Sequence, residues 1–165
     1  MGYRRDRNIT REVPAYRRML AHVTPDRDAA SVSFRQTLDL SKTLPWLEAE
    51  SERLGHKVSL LHLYLAAAGR VLNERPRLNR YCTGTRFFQR DGVWASVSAK
   101  KSLEDGAKVV MLKVPLLAAD DPNQVRERLA VELDAGRRGE TLDQEKEHAL
   151  FMRLPDFLIG WLVGL

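Results

Sequence analysis

The sequence predicts an α/β domain in which a mixed sheet packs on helices. Three patterns predict it. Residues 31–40 alternate apolar and polar side chains, as a half-buried strand does. Two helical stretches follow, 42–54 and 59–75, and the second is apolar around most of its circumference. Residues 84–115 then carry two Asp-Gly pairs among short alternating runs, the pattern of a β-meander. A chain of 165 residues suits one domain with a single core.

Composition narrows the function classes. Hydrophobic residues make up 44% and charged residues 30%, an ordinary balance for a soluble globular chain. The net charge of +5 mildly favours anionic partners such as nucleotides, coenzyme A or acidic surfaces, and is far from a histone-like excess. Cys82 is the only cysteine, which excludes an intrachain disulfide and fits a reducing cytoplasm. The opening MGYRRDRNIT lacks the apolar core of a secretory signal, and Asp6 stands where a myristoylation motif wants Ser or Thr. No apolar run reaches the roughly 18 residues of a transmembrane helix, and FLIGWLVGL at the end is too short.

In chain order, residues 1–27 form an arginine-rich arm with a short helix over 14–23, whose Tyr16, Met19, Leu20 and Val23 share one side. In the strand predicted over 31–40, Val32, Phe34, Leu38 and Leu40 face one way and Ser33, Arg35, Thr37 and Asp39 the other. Ser41 is placed to cap the helix over 42–54, and Gly55 to stop it in a left-handed conformation. Ser59 caps the next helix, which is expected to be buried on several sides, and Pro76 ends it. Asp91-Gly92 reads as a two-residue type I′ hairpin, and Asp105-Gly106 leads into a strand over 108–114. Asp121 and Pro122 open a helix to about Arg138 with Val125, Leu129 and Leu133 as its apolar stripe. Thr141 and Gln144 form a capping box for one more helix, which Pro155 interrupts.

Two segments carry a family resemblance: SLLHLYLAAAGRVLNERPRLNRYC over 59–82 and GTRFFQRDGVWASVSAKK over 84–101. Their most specific parts are the Pro76-Arg77-Leu78-Asn79 end of the apolar helix and the run from Arg86 to Val93. Over roughly residues 14–160 the chain resembles the catalytic domain of the dihydrolipoyl acyltransferases of 2-oxo acid dehydrogenase complexes, which have a chloramphenicol-acetyltransferase-like fold. The resemblance implies a trimer with active sites between subunits, and acyl transfer between coenzyme A and a lipoyl thiol. In the family, the histidine of an H-x-x-x-D-G motif serves as general base and a strand hydroxyl stabilises the oxyanion. A neutral thiol needs the base, and the tetrahedral oxyanion needs a fixed donor.

The sequence departs from that pattern. Of His22, His56, His62 and His148, only His22 has an aspartate four residues later, Asp26, and Arg27 follows it instead of glycine. The C-terminal half of the family domain, with its catalytic loop, is expected to be missing, so no catalytic residue is carried over. The resemblance places Arg27 near a basic position that contacts the motif's aspartate in the family; otherwise it is an ordinary surface arginine.

The remaining residues read plainly. His62, inside the apolar helix, reads as a hydrogen-bonded structural histidine, His56 as loop, and His148 as solvated. No histidine pair has metal-ligand spacing, so no metal is expected. Cys82 reads as a small buried hydrophobe. Ser96 and Ser98 read as the polar face of a sheet. There is no Gly-rich phosphate loop. The N-terminal arginines have too few interleaved aromatics, Tyr3 and Tyr16, for specific nucleic-acid binding. Phe157, Leu158, Trp161, Leu162 and Leu165 are too many for one helix face to bury and are expected to pack against another subunit.

The domain organisation expected is therefore a basic arm over 1–27, a truncated acyltransferase-like domain over 28–153, and an apolar packing segment over 154–165. Two functions remain open. One is a non-catalytic, oligomeric scaffold without cofactors. The other is an acyltransferase using coenzyme A or a lipoyl group, completed by a second chain. A homo-oligomer based on trimers is expected, with a 2-oxo acid dehydrogenase complex or a complementing chain as further partners.

Overall fold

The computed structural model describes residues 6–24, 30–101, 104–105, 107 and 109–138. Within them the chain is mixed α/β, with four helices and five strands: β1 Arg7–Asn8, α1 Ala15–Val23, α2 Thr43–Leu54, α3 Leu60–Glu74, β2 Arg80–Thr83, β3 Arg86–Gln89, β4 Trp94–Lys100, β5 Val109–Pro115 and α4 Pro122–Arg138. The chain divides into two compact units. Residues 1–95 and 114–127 form the first, and residues 96–113 and 128–165 the second.

The first unit holds a three-stranded antiparallel sheet in the order β1-β3-β2. Thr83 faces Arg86 across a two-residue loop, and Tyr81 faces Phe88. Gly84, the first loop residue, has φ 54°, and among the described residues none other than glycine has positive φ. One positive φ at the first central position is the requirement of a type II′ hairpin, so Gly84-Thr85 makes the reversal. Asp91-Gly92 does not. A type I′ turn needs positive φ at both positions, and only Gly92 has it, at 80°. The pair instead lies in the connection from β3 to β4, which belong to different sheets. Asp91 N–H donates to Asp6 Oδ1 at 2.9 Å, and Asn79 Nδ2 donates to the Gly92 carbonyl at 2.8 Å. A dipeptide signals a turn but cannot say which strands flank it.

The core of this unit gathers Ile9, Val13, Leu47, Val58, Leu65, Ala66, Val93, Val114, Leu116 and Val125, all buried. Gly69 lets α3 approach Leu116 closely, since a Cβ there would lie 2.9 Å from the Leu116 Cβ. Asn73 fastens the contact, donating from Nδ2 to the carbonyls of Gly69 at 2.8 Å and Leu116 at 3.0 Å. Leu116 N–H in turn donates to the Val93 carbonyl at 2.9 Å. The second unit pairs the bodies of β4 and β5. Its buried apolar side chains include Val110, Leu112 and Leu129.

Helix boundaries follow local chemistry. Gly55 takes the left-handed stop, with φ 69°, and its N–H donates to the Glu52 carbonyl at 3.2 Å. Asp121 and Gln124 form a reciprocal cap at the start of α4, Gln124 N–H donating to Asp121 Oδ1 at 2.8 Å and Asp121 N–H to Gln124 Oε1 at 3.0 Å. Ser41 does not cap α2. Its own N–H donates to Asp39 Oδ1 at 2.9 Å, and the first α2 amides turn onto the Leu40 carbonyl. Hydrogen bonding from the Ser41 backbone, then from its side chain, holds the Asp39 carboxyl below its usual range.

Two larger expectations fail. Residues 31–40 form no strand among the described residues, and the side chains of Val32, Phe34 and Leu38 face solvent. Alternation sorts side chains to two faces, but a strand also needs a neighbour for its backbone groups. Likewise α3 buries one face, through Leu65, Ala66 and Gly69, while Leu60, Leu61, Tyr64 and Val71 are exposed. The apolar circumference exceeds what this chain's own elements cover. The predicted helix at Thr141 and Gln144 lies outside the described residues, as does Gly106.

Candidate functional site

Three features of the first unit bear on function. The first is a cavity of about 420 Å³, open to solvent and lined by Thr10, Ala15, Arg18, Met19, His22 and Thr85. Arg18 and His22 stand four residues apart on α1, so both project from one helix face. The Thr10 hydroxyl is already engaged, donating to Asn8 Oδ1 at 2.8 Å and accepting from the Phe87 N–H at 2.9 Å. Arg18 and His22 are thus the groups here that could meet an anion. No sequence motif singled out this cavity, because the hairpin brings Thr85 to α1 across a long stretch of chain.

The second feature is a polar junction at the start of α3 and α4. Ser59 N–H donates to His62 Nδ1 at 3.0 Å, and the Ser59 hydroxyl lies 3.3 Å from the same nitrogen. This is a capping box with histidine in place of the usual Glu or Gln. His62 is therefore the hydrogen-bonded structural residue its position suggested. His56, expected in a loop, lies between α2 and α3 and is anchored, its Nε2 2.6 Å from Asn123 Oδ1.

Burial, then the nearby Arg126 charge, then His56, hold the His62 imidazole below the ordinary histidine value. Because the folded value is depressed, the unfolded chain binds more protons between the two values. The stabilisation is complete above about pH 6.5 and is lost as pH falls from there toward the folded value. His62→Gln keeps the capping geometry and removes the titration. Urea unfolding at about pH 7 and about pH 5 should show the native chain losing more stability than His62→Gln; equal losses would refute the role.

The third feature is apolar surface. Val32 is 92% exposed, Phe34 85% and Leu38 67%. Tyr16, Met19, Leu20 and Val23 on α1 are exposed, as are Leu60, Leu61, Tyr64 and Val71 on α3. On three segments the chain thus presents large side chains that its own described residues leave open.

Arg27 and the five predicted interface residues, Phe157, Leu158, Trp161, Leu162 and Leu165, lie outside the described residues, as does His148. Cys82 departs from expectation. It is exposed rather than buried, and its thiol donates to the Gly84 carbonyl at 3.0 Å. It sits beside the hairpin turn on β2, an edge strand of the β1-β3-β2 sheet. Desolvation raises its pKa, which disfavours the nucleophilic thiolate. Ser96 and Ser98 are exposed, as the polar face predicts. Among the described residues no group of three or more His, Cys, Asp or Glu could hold a metal ion, and no helix is long and apolar enough to cross a membrane. No family model, curated protein or solved structure matches the chain.

Proposed function

We propose that this protein is a non-catalytic homologue of the dihydrolipoyl acyltransferase catalytic domain, acting in the cytoplasm as an oligomeric structural or scaffold protein. One observation carries the reading: large apolar side chains stand exposed along α1, residues 31–40 and α3. Large apolar side chains gathered on exposed segments mark surfaces that a partner covers. Copies of the same chain are the simplest cover, since most soluble oligomers are symmetric homo-oligomers.

The chemistry agrees with a structural role. His62 Nδ1 accepts from a helix-capping amide, and His56 is tied to Asn123, so both rings hold elements in place. The acyltransferase-like fold is inferred from the order of an apolar helix ending in PRLN and the strand run after it. In that fold the assembly is trimer-based.

Mass measurement of the native assembly, joined to an acetyl-transfer assay, tests the reading. We expect a multiple of the 18.8 kDa chain, with three copies as the building block, and no transfer from acetyl-CoA to dihydrolipoamide. A single-copy mass would overturn it. So would transfer abolished by changing one of the chain's own residues. Co-purification with a chain bearing an H-x-x-x-D-G segment, with transfer by the pair, would replace it with an acyltransferase completed in trans.

A further inference from the structure

We infer that residues 31–40 are an intermolecular β-strand, which pairs antiparallel with the same residues of a second copy about a two-fold axis at Gln36. This inference rests on the oligomeric reading above and names one of its contacts.

In the segment, residues 32–40 have the side-chain order of a strand and belong to no sheet among the described residues. Val32, Phe34, Leu38 and Leu40 occupy one face in strict alternation, and three of them are among the most exposed apolar side chains described. Its backbone joins no ladder among the described residues, whose sheets are β1-β3-β2 and β4-β5. An apolar segment whose backbone joins no ladder is a template for another strand.

The occupant is argued from self-complementarity. In an antiparallel pair centred on Gln36, Val32 stands opposite Leu40 of the second copy and Phe34 opposite its Leu38. Gln36 faces itself. Apolar side chains therefore meet apolar side chains on both sides of the central Gln36 pair, and cross-strand pairs of this kind are what stabilise a sheet. On the other face Ser33 stands opposite Asp39, and Arg35 opposite Thr37. Each Arg35 lies diagonal to Asp39 of the second copy, within reach of a long side chain, so opposite charges meet on both sides of the axis. A shift by one residue would put every apolar side chain on the wrong face, which pins the register. The run ends where it must, because the Leu40 carbonyl already accepts the first α2 amides. A two-fold contact can also join trimers back to back, so it is compatible with a trimer-based assembly.

A cysteine at the axis tests the contact. Directly opposed residues in an antiparallel pair have Cα atoms about 4.5–5.5 Å apart, inside the range a disulfide spans. The exposed Cys82 is first changed to serine. In that background Gln36→Cys should give, under mild oxidation, a covalent pair at twice the 18.8 kDa chain mass. Phe34→Asp should reduce the mass of the native assembly and abolish the crosslink in the Gln36→Cys background. An oligomer in which Gln36→Cys fails to crosslink would overturn this inference and leave the oligomeric reading standing. Crosslinking by Thr37→Cys and not by Gln36→Cys would overturn the register and the inference with it. A single-copy native mass would overturn both.

Discussion

Replacing Leu116 by alanine is expected to lower the unfolding free energy by about 2–5 kcal/mol, the largest loss of any single truncation considered. Leu116 is 3% exposed and sits at the closest approach of α3 to the strand segment after Val114. Deleting its outer carbons removes their burial and leaves a cavity. The backbone on both sides cannot move in to fill it. Leu116 N–H is bonded to the Val93 carbonyl and its own carbonyl to Asn73. The cost therefore belongs near the upper part of the range, where the site cannot collapse. Leu116→Met, which roughly conserves volume, should cost less than about 1.5 kcal/mol. Urea midpoints at constant m-value measure both. An alanine variant within about 0.5 kcal/mol of the native chain would mean that this contact is not part of the core.

The second large effect is expected at Asp6. Its Oδ2 accepts from the Tyr81 hydroxyl at 3.0 Å, and its Oδ1 from the Asp91 N–H at 2.9 Å. One carboxylate thus ties the residue before β1 to both β2 and the corner after β3. Tyr81 is further placed by stacking on Phe88, with ring centres 5.3 Å apart, and by the Arg90 guanidinium 4.6 Å from its centre. Hydrogen bonds to a charged group contribute about 1.5–3 kcal/mol each, and the site is partly open to water. Asp6→Ala should therefore cost about 2–3 kcal/mol, the worth of one such bond. Asp6→Asn retains one acceptor and one donor and should cost about half as much. Thermal unfolding of the two variants gives the comparison. Equal and negligible losses would show that the carboxylate does not hold the sheet edge.

These two residues were not equally visible in the sequence. Leu116 lies just past the strand predicted over 108–114, and Val110, Leu112 and Val114 in that strand are buried, although the apolar run Val109 to Leu112 leaves the buried face undecided in the sequence. Asp6 carried no signal, because its partners lie 75 and 85 residues away. Asn73 was equally silent: an asparagine in the last turn of a helix says nothing about a carbonyl 43 residues on. The cavity at Arg18 and His22 falls in the same class. His62 lay between, since its place inside an apolar helix pointed to a structural role but not to the cap it makes.

Local order was legible wherever neighbouring residues supply the chemistry. The left-handed stop at Gly55, the ends of α3 and α4, and the apolar stripe of α4 need only a few adjacent positions, because capping and helical periodicity act within one or two turns. The tertiary structure alone decided what lay beyond that range. It assigned the reversal to Gly84-Thr85, put Asp91-Gly92 in the connection from β3 to β4, and left Val32, Phe34, Leu38 and one side of α3 open to solvent. The reason is physical: pairing and burial are properties of two surfaces, and a sequence pattern describes only one of them.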